Sequence, residues 1–450
     1  MKKLQNFSYE TVLVLGLAKS GTAAAKLLAR SGKKVRINDL KTDKQEPIVK
    51  ELEQLGIEVV TGSHPLSVLD NVEVLVKNPG IPYDNVIVNE AVNRGLPVIT
   101  EVELAGQLLE TNPIIGITGS NGKTTTTTLI YEMLEQSNQR VMLAGNIGHV
   151  ATEVAESMEN DDTMVMELSS FQLLGIETFK PKISVLLNLF EAHLDYHKTL
   201  ENYQQAKANI FKNQDEKDFV VYNADDAKVV EMVRDARATM VPFSTTEKQE
   251  AGAWSDQDSV FFKQEKIIAI KDIALVGKHN LENILAAISA AMLNGATVEG
   301  IKRVLTSFSG VKHRLQFVDN VNERLFYNDS KATNVLATSK ALTAFQSPTI
   351  LLAGGLDRGN TFDSLLPYLD KVKGMVLFGE TAKKLEKTAR EAGIDIIEIV
   401  DNVKHAVQVA YKLSNQNDVI LLSPACASWD QYRTFEERGD MFIDAVHTLK

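Results

Sequence analysis

Cysteine is almost missing from this sequence. Cys426 stands alone in 450 residues, which excludes an internal disulfide and any cysteine-based zinc cluster and suits a reducing compartment. Long apolar runs are missing too, and no stretch reaches the roughly 18 residues of a membrane span. Lys2 and Lys3 followed by the apolar run 12–18 imitate a signal peptide only superficially, because polar residues 5–10 intervene and the run continues into a glycine turn. Basic residues are in deficit, 48 against 59 acidic, and a net charge of −11 leaves no broad positive surface for nucleic acid or anionic lipid. Low-complexity tracts and short repeats are absent as well. What remains, 44% hydrophobic and 24% charged residues, is the make-up of a packed globular chain. A cytosolic chain with neither nucleic acid nor membrane as partner is expected.

Short Val/Ile/Leu runs at 12–16, 35–39, 73–77, 113–118, 141–145, 163–167, 183–189, 218–222, 349–353, 374–379 and 418–423 alternate with helical patterns. Continuous apolar strands imply burial on both faces, so the fold class is α/β with mainly parallel sheets. At roughly 150 residues per domain the chain has room for about three. Strand-plus-glycine openings at 12–21, 113–124 and 349–359 suggest three nucleotide-fold-like domains, cut at 1–101, 102–310 and 311–450. Residues 244–272 read as a β-hairpin excursion inside the middle domain.

The strand Pro113–Thr118 runs through Gly119-Ser120-Asn121-Gly122-Lys123-Thr124 into a helix over 124–136. Glycines let backbone N–H groups converge on phosphate oxygens, and a helix N-terminus adds positive potential. Lys123 would meet the β/γ-phosphates and the Thr124 hydroxyl would ligate Mg²⁺. The phosphate-loop pattern puts its first glycine at 117, where Ile117 stands, so this loop is a variant. An ordinary glycine turn is the alternative; the strand, the helix and the Gly-Lys-Thr order favour ATP.

Glu167, at the end of the apolar strand 164–166, is placed to ligate metal or position water. Beyond Asn188 the loop carries Glu191, His193, Asp195 and His197. The two histidines have the spacing of a zinc protease, but Leu194 stands where its glutamate belongs. His193 reads as a ligand or orienter beside magnesium, and His197 as a plain surface or core histidine. Lys207 shares a helical face with Tyr203, Ile210 and Phe211, and spacing alone makes it a lysine snorkelling past an apolar stripe to water. In the first domain, Gly16–Gly21 opens a helix and Asp39 follows 18 residues after Gly21, as in a dinucleotide site. Ala18 replaces the middle glycine, which weakens an NAD reading without closing it.

Ile117–Thr125, Gly145-Asn146-Ile-Gly148, Glu167–Gln172, His193-Leu-Asp195, Ala206-Lys207, Gly277–Asn280, His313-Arg314, Asn328–Asn334 and Ser423–Gln431 together resemble the Mur ligases of peptidoglycan synthesis, in order and over nearly the whole chain. The resemblance implies a Rossmann-like N-terminal domain for a uridine nucleotide, a central P-loop-type ATPase domain and a C-terminal dinucleotide-fold-like domain for an amino acid. It implies ATP-dependent addition of D-glutamate to UDP-N-acetylmuramoyl-L-alanine, with two Mg²⁺ ions. Thr125 and Asn146 join the phosphate site, and Glu167 with Thr124 holds the first metal. His193 and Lys207 serve the second, Lys207 as a carbamate, because an ammonium offers Mg²⁺ no acceptor. His279, Asn280 and Asn283 contact adenine, and Arg314 and Asp329 lie toward ribose and phosphates. Lys331 lies near the transferred phosphate. Thr333, Arg358, Ser423 and Phe435 receive D-glutamate; Lys19, Ser20, Asp39, Asn78 and Gly80 receive the UDP moiety. A related ligase using another amino acid or glutamylating folate, a non-catalytic nucleotide switch and an NAD oxidoreductase are the rival expectations.

Overall fold

The computed structural model describes residues 2–109, 111–275 and 277–449, and the chain forms two compact units that meet in sequence at Phe308 and Ser309. The first unit holds a five-stranded parallel sheet in the order Glu58–Thr61, Lys34–Asp39, Thr11–Leu15, Val74–Lys77, Val98–Ile99. It also holds a six-stranded parallel sheet in the order Thr239–Phe243, Phe219–Asn223, Ile183–Leu186, Ile114–Thr118, Thr163–Glu167, Val141–Gly145. Helices on both faces bury the central strands completely, which is why these read as unbroken apolar runs. One apolar core runs through both sheets, from Val12, Leu27 and Ile37 by way of Val102, Leu104 and Leu108 to Met164, Leu173 and Phe179. The helix Glu101–Leu108 is thus shared packing, and the two sheets form one compact body.

The excursion expected as a hairpin is a three-stranded antiparallel meander, Ala253–Ser255, Ser259–Phe262 and Glu265–Ala269, with Trp254 stacked on Phe261 at 4.3 Å. Three strands that the apolar pattern misses, Glu58–Thr61, Thr239–Phe243 and Ile396–Ile399, lie at sheet edges. Thr239–Phe243 carries Pro242, tolerable only where a ladder partner is missing on one side, and Glu58–Thr61 and Ile396–Ile399 are half exposed.

The second unit is built on a six-stranded sheet, Gln316–Val321, Arg324–Asn328, Val419–Leu422, Thr349–Gly354, Val372–Phe378, Ile396–Ile399, parallel except for the first pair. No described helix is long and apolar enough to cross a membrane.

Candidate active site

Parallel strands end on the same edge of a sheet, so register decides which loops meet. In the central sheet Ile117 pairs with both Glu167 and Val185, and Gly145 pairs with Glu167. The loops after Thr118, Glu167, Gly145 and Leu186 therefore emerge together, at the point where strand order reverses and open α/β sheets bind ligands.

The phosphate loop leaves Thr118 and enters the helix Lys123–Glu135 through Gly122, whose φ of +82° is left-handed. A Cβ there would lie 2.1 Å from Oδ1 of Asn283, so only glycine fits on both counts. Asn283, expected at adenine, is buried against the phosphate loop, while His279 and Asn280 occupy the first turn of the same helix, Lys278–Leu293. Asn188 fastens the loop from the neighbouring strand end: its Oδ1 accepts the N–H of Asn121 at 2.9 Å and its Nδ2 donates to the Asn121 carbonyl at 3.2 Å. The Thr124 hydroxyl donates to Oε2 of Glu167 at 2.8 Å, and Nδ2 of Asn146 donates to Oε1 at 2.8 Å. Two residues from separate motifs, Thr124 and Asn146, thus converge on the buried Glu167 carboxylate. Thr125 follows in the same helix turn.

Lys123 folds back on its loop, donating to the carbonyls of Gly119 at 2.9 Å and Ser120 at 3.2 Å. Lys207 does not snorkel. It is 1% exposed and donates to the same Gly119 oxygen at 2.9 Å, with its Nζ 4.5 Å from the Tyr203 ring centroid. Burial first, and the Lys123 charge second, push its pKa well down, favouring the neutral amine. The Tyr203 hydroxyl reaches Ser120 Oγ at 3.2 Å, and its ring faces that of His193 at 6.3 Å. His193 is exposed and takes a left-handed φ of 55° at the start of the one-turn helix Leu194–His197. His197 is a core histidine, bonded through Nε2 to Ser170 Oγ at 2.9 Å and held near pKa 4 chiefly by burial.

No group of three or more His, Cys, Asp or Glu side chains is arranged to hold a metal among the described residues. The oxygen donors present, the Glu167 carboxylate and the Thr124 hydroxyl beside a phosphate loop, fit Mg²⁺, which keeps waters and takes phosphate oxygens as ligands.

In the N-terminal sheet the Asp39 carboxylate is occupied by backbone N–H groups of Leu17, Lys41 and Thr42, each at 2.8 Å. Partial burial opposes its ionisation, and these bonds outweigh burial and hold its pKa below the usual carboxylate value. Ser20 donates to Oδ1 of Asn78, which closes over Gly16, while Lys19 and Gly80 are exposed at the same edge. Leu40 is exposed beside them.

In the second unit Asn328 and Leu422 pair in register, so the segments Asp329–Asn334 and Ser423–Gln431 leave the sheet side by side. The Ser423 hydroxyl, expected at the amino acid, is fully buried and donates to Oδ2 of Asp329 at 2.8 Å, so it is already committed within the fold. Ser428, five residues on, is also buried but its Oγ has no hydrogen-bond partner among the described residues. Sequence reading missed it, since serine spacing in a loop cannot show which hydroxyl is spoken for. Lys331 Nζ lies 5.8 Å from the Phe435 ring centroid and Arg358 stacks on exposed Trp429 at 4.8 Å; Thr333 is half buried and Arg314 exposed. Arg438, also missed, is fully buried and donates to Ser330 Oγ and to the carbonyls of Ser330 and Cys426, tying both segments together.

Burial raises the Asp329 pKa to about 7. A carboxyl that binds its proton more tightly when folded stabilises the fold at acid pH, and this is lost as pH rises from about 4 to about 7. Glu101, buried and raised to about 7, acts with the same sign. The stability of the unliganded chain in melts should therefore fall between about pH 4 and 7, and Asp329→Asn should remove up to about 4 kcal/mol of that decline; an unchanged decline refutes it.

Three family descriptions match successive parts of the chain: "Mur ligase MurD-like, N-terminal domain" over residues 10–100, "Mur ligase middle domain" over 117–291 and "Mur ligase, glutamate ligase domain" over 313–426. The chain is 62% identical over 450 residues to the UDP-N-acetylmuramoylalanine--D-glutamate ligase of Oceanobacillus iheyensis, and 55% identical over 452 residues to that of Bacillus subtilis, each time across 100% of both proteins. Among solved structures, MurF from Acinetobacter baumannii shares the fold at TM-score 0.59 and 15% identity, over 96% of this chain and 93% of that one. The alanine ligase MurC from Thermotoga maritima does so at TM-score 0.55 and 17% identity, over 98% and 100%. With full-length identity this high and the phosphate loop, Glu167 and Asn146 meeting at one sheet edge, the chain belongs to the Mur ligase family.

Proposed function

We propose that the chain is an ATP-dependent ligase joining D-glutamate to UDP-N-acetylmuramoyl-L-alanine in the cytoplasm, as a monomer. The observation that carries this is the meeting of Lys123, Thr124, Asn146, Glu167 and Lys207 around one phosphate loop, in a chain whose full-length relatives bear that enzyme's name. We assign the UDP moiety to 1–101, ATP to 102–310 and D-glutamate to 311–450.

A carboxylate is a poor electrophile. Its oxygen attacks the γ-phosphorus, ADP leaves, and the amine of D-glutamate then attacks the acyl carbon, expelling phosphate and losing a proton. Bringing carboxylate and γ-phosphate together costs about 4 kcal/mol per charge pair at 4 Å and effective dielectric 20. Two Mg²⁺ ions, when bound, neutralise that charge at both attacking and leaving oxygens. Thr124 and Glu167 would hold one, and His193 and Lys207 the other. For Lys207 this requires its neutral amine to add CO₂ and release a proton, forming a carbamate; the buried amine favours this chemistry, because only the unprotonated form is nucleophilic. Lys123 swings from its own loop carbonyls to the phosphates. Thr125 and Asn146 line them, His279, Asn280 and Asn283 face adenine, and Arg314, Asp329 and Lys331 serve ribose and the transferred phosphate. Lys19, Ser20, Asp39, Asn78 and Gly80 receive UDP. Thr333, Arg358 and Phe435 receive D-glutamate, with Ser423 acting through Asp329 and the uncommitted Ser428 hydroxyl added to the set.

Phosphate release that requires both D-glutamate and the uridine substrate, and fails with L-glutamate, diaminopimelate or L-lysine, is the expected assay result; release indifferent to either substrate overturns the reading. Ser428→Ala should raise the KM for D-glutamate about tenfold while those for ATP and the uridine substrate stay unchanged.

A further inference from the structure

Lys77 ends a strand of the N-terminal sheet and is 1% exposed. Burial alone pulls its pKa down, to about 8, with no anionic neighbour among the described residues opposing it. A desolvated ammonium without a carboxylate is costly, and an apolar side chain of similar size would fill the space more cheaply. What the ammonium does is directional. Its Nζ donates to the carbonyls of Ile81 at 2.9 Å, Pro79 at 3.2 Å and Asn78 at 3.4 Å, and to the hydroxyl of Tyr196 at 3.1 Å. The Tyr196 hydroxyl in turn donates to the Ile81 carbonyl at 3.0 Å.

Both ends of this cluster reach assigned chemistry. Asn78 accepts the Ser20 hydroxyl, so the segment gripped by Lys77 is the one placed at the UDP moiety. Tyr196 lies in the one-turn helix whose first residue follows His193, and its ring meets Phe171 edge-on at 4.6 Å. Phe171 in turn meets the His193 ring edge-on at 5.1 Å and stacks on His197 at 5.3 Å. His193 itself has a left-handed backbone, a conformation that persists where surrounding contacts hold it.

We propose that Lys77 and Tyr196 are positioning residues that lock the His193 helix to the loop 78–81, so that binding of the uridine nucleotide orders the side of the site where the phosphate is transferred. The pair touches no reacting atom. The proposal rests on the assignment of residues 78–80 to the UDP moiety, and it extends that assignment: the uridine end of the substrate, remote from the acid, contributes to assembling the centre that activates it.

Hydrogen exchange in the full chain tests this without metal or turnover. The amides of Tyr196, His197 and Lys198 donate to the carbonyls of His193 and Leu194 and report the helix directly. In the wild-type chain UDP-N-acetylmuramoyl-L-alanine should slow their exchange about tenfold, and Tyr196→Phe and Lys77→Met should each cut that to under about twofold. Calorimetry on the same variants should show the substrate still bound, and melts should show them folded. Tyr196→Phe removes a single hydroxyl and keeps the test open should Lys77→Met unfold. Undiminished slowing in folded variants overturns the positioning role alone. Wild-type chain that binds the substrate with no slowing does the same, and wild-type chain that does not bind it overturns the nucleotide assignment together with the proposal.

Discussion

Lys207→Ala should lower kcat by about 10³-fold or more, the loss expected when several kcal/mol of charge stabilisation at a transferring phosphate disappear. The side chain is buried, bonded to the Gly119 carbonyl that also receives Lys123, and shifted toward its neutral form. Two ammonium groups on one carbonyl oxygen repel, so a charged Lys207 has no reason to be there, whereas a carbamate would pair with Lys123 and offer oxygens to a metal. Formate or acetate should restore part of the activity of Lys207→Ala by placing a carboxylate in the vacated space. Wild-type enzyme kept in CO₂-depleted buffer should lose activity that bicarbonate returns. Full turnover by Lys207→Ala would remove the carbamate from the scheme.

Glu167→Gln should lower kcat by about 10²- to 10³-fold and weaken Mn²⁺ binding measured in the presence of a non-hydrolysable ATP analogue. Both carboxylate oxygens now accept from donors, Thr124 and Asn146. An amide keeps one acceptor and turns an N–H₂ toward the other donor, so it loses the charge and the geometry together. Because the residue is only 2% exposed, water does not repair the mismatch. Unchanged Mn²⁺ affinity would place the ion elsewhere.

The phosphate loop and Glu167 were legible in the sequence because each depends on a few consecutive residues: an apolar strand, a glycine turn, a helix start. Lys207 was not legible in the same way. Its helical face is equally compatible with snorkelling and with burial, and the group that receives it, the Gly119 carbonyl, lies 88 residues away. Ser423 and Ser428 occupy one loop and look alike in sequence; the carboxylate of Asp329, brought alongside by strand register, engages one and leaves the other. Asn283, read at adenine through the family resemblance, packs against Gly122, a contact that no local spacing reveals.

By itself, then, the sequence determined the fold class, the parallel strands, the strand–glycine turn–helix loop and the exclusion of an internal disulfide and a cysteine-based zinc cluster. These follow from composition and from spacings of a few residues, where steric rules act locally, whereas the family was legible only as a resemblance carried by many motifs in order along the chain. Only the tertiary structure decided that the first two sheets share one core, that Lys207 is desolvated beside Lys123, which serine hydroxyl stays free, and that Lys77 joins two distant loops. Burial and hydrogen-bond pairing are set by groups far apart in the chain, and only the folded packing of strands and helices brings those groups within reach of each other.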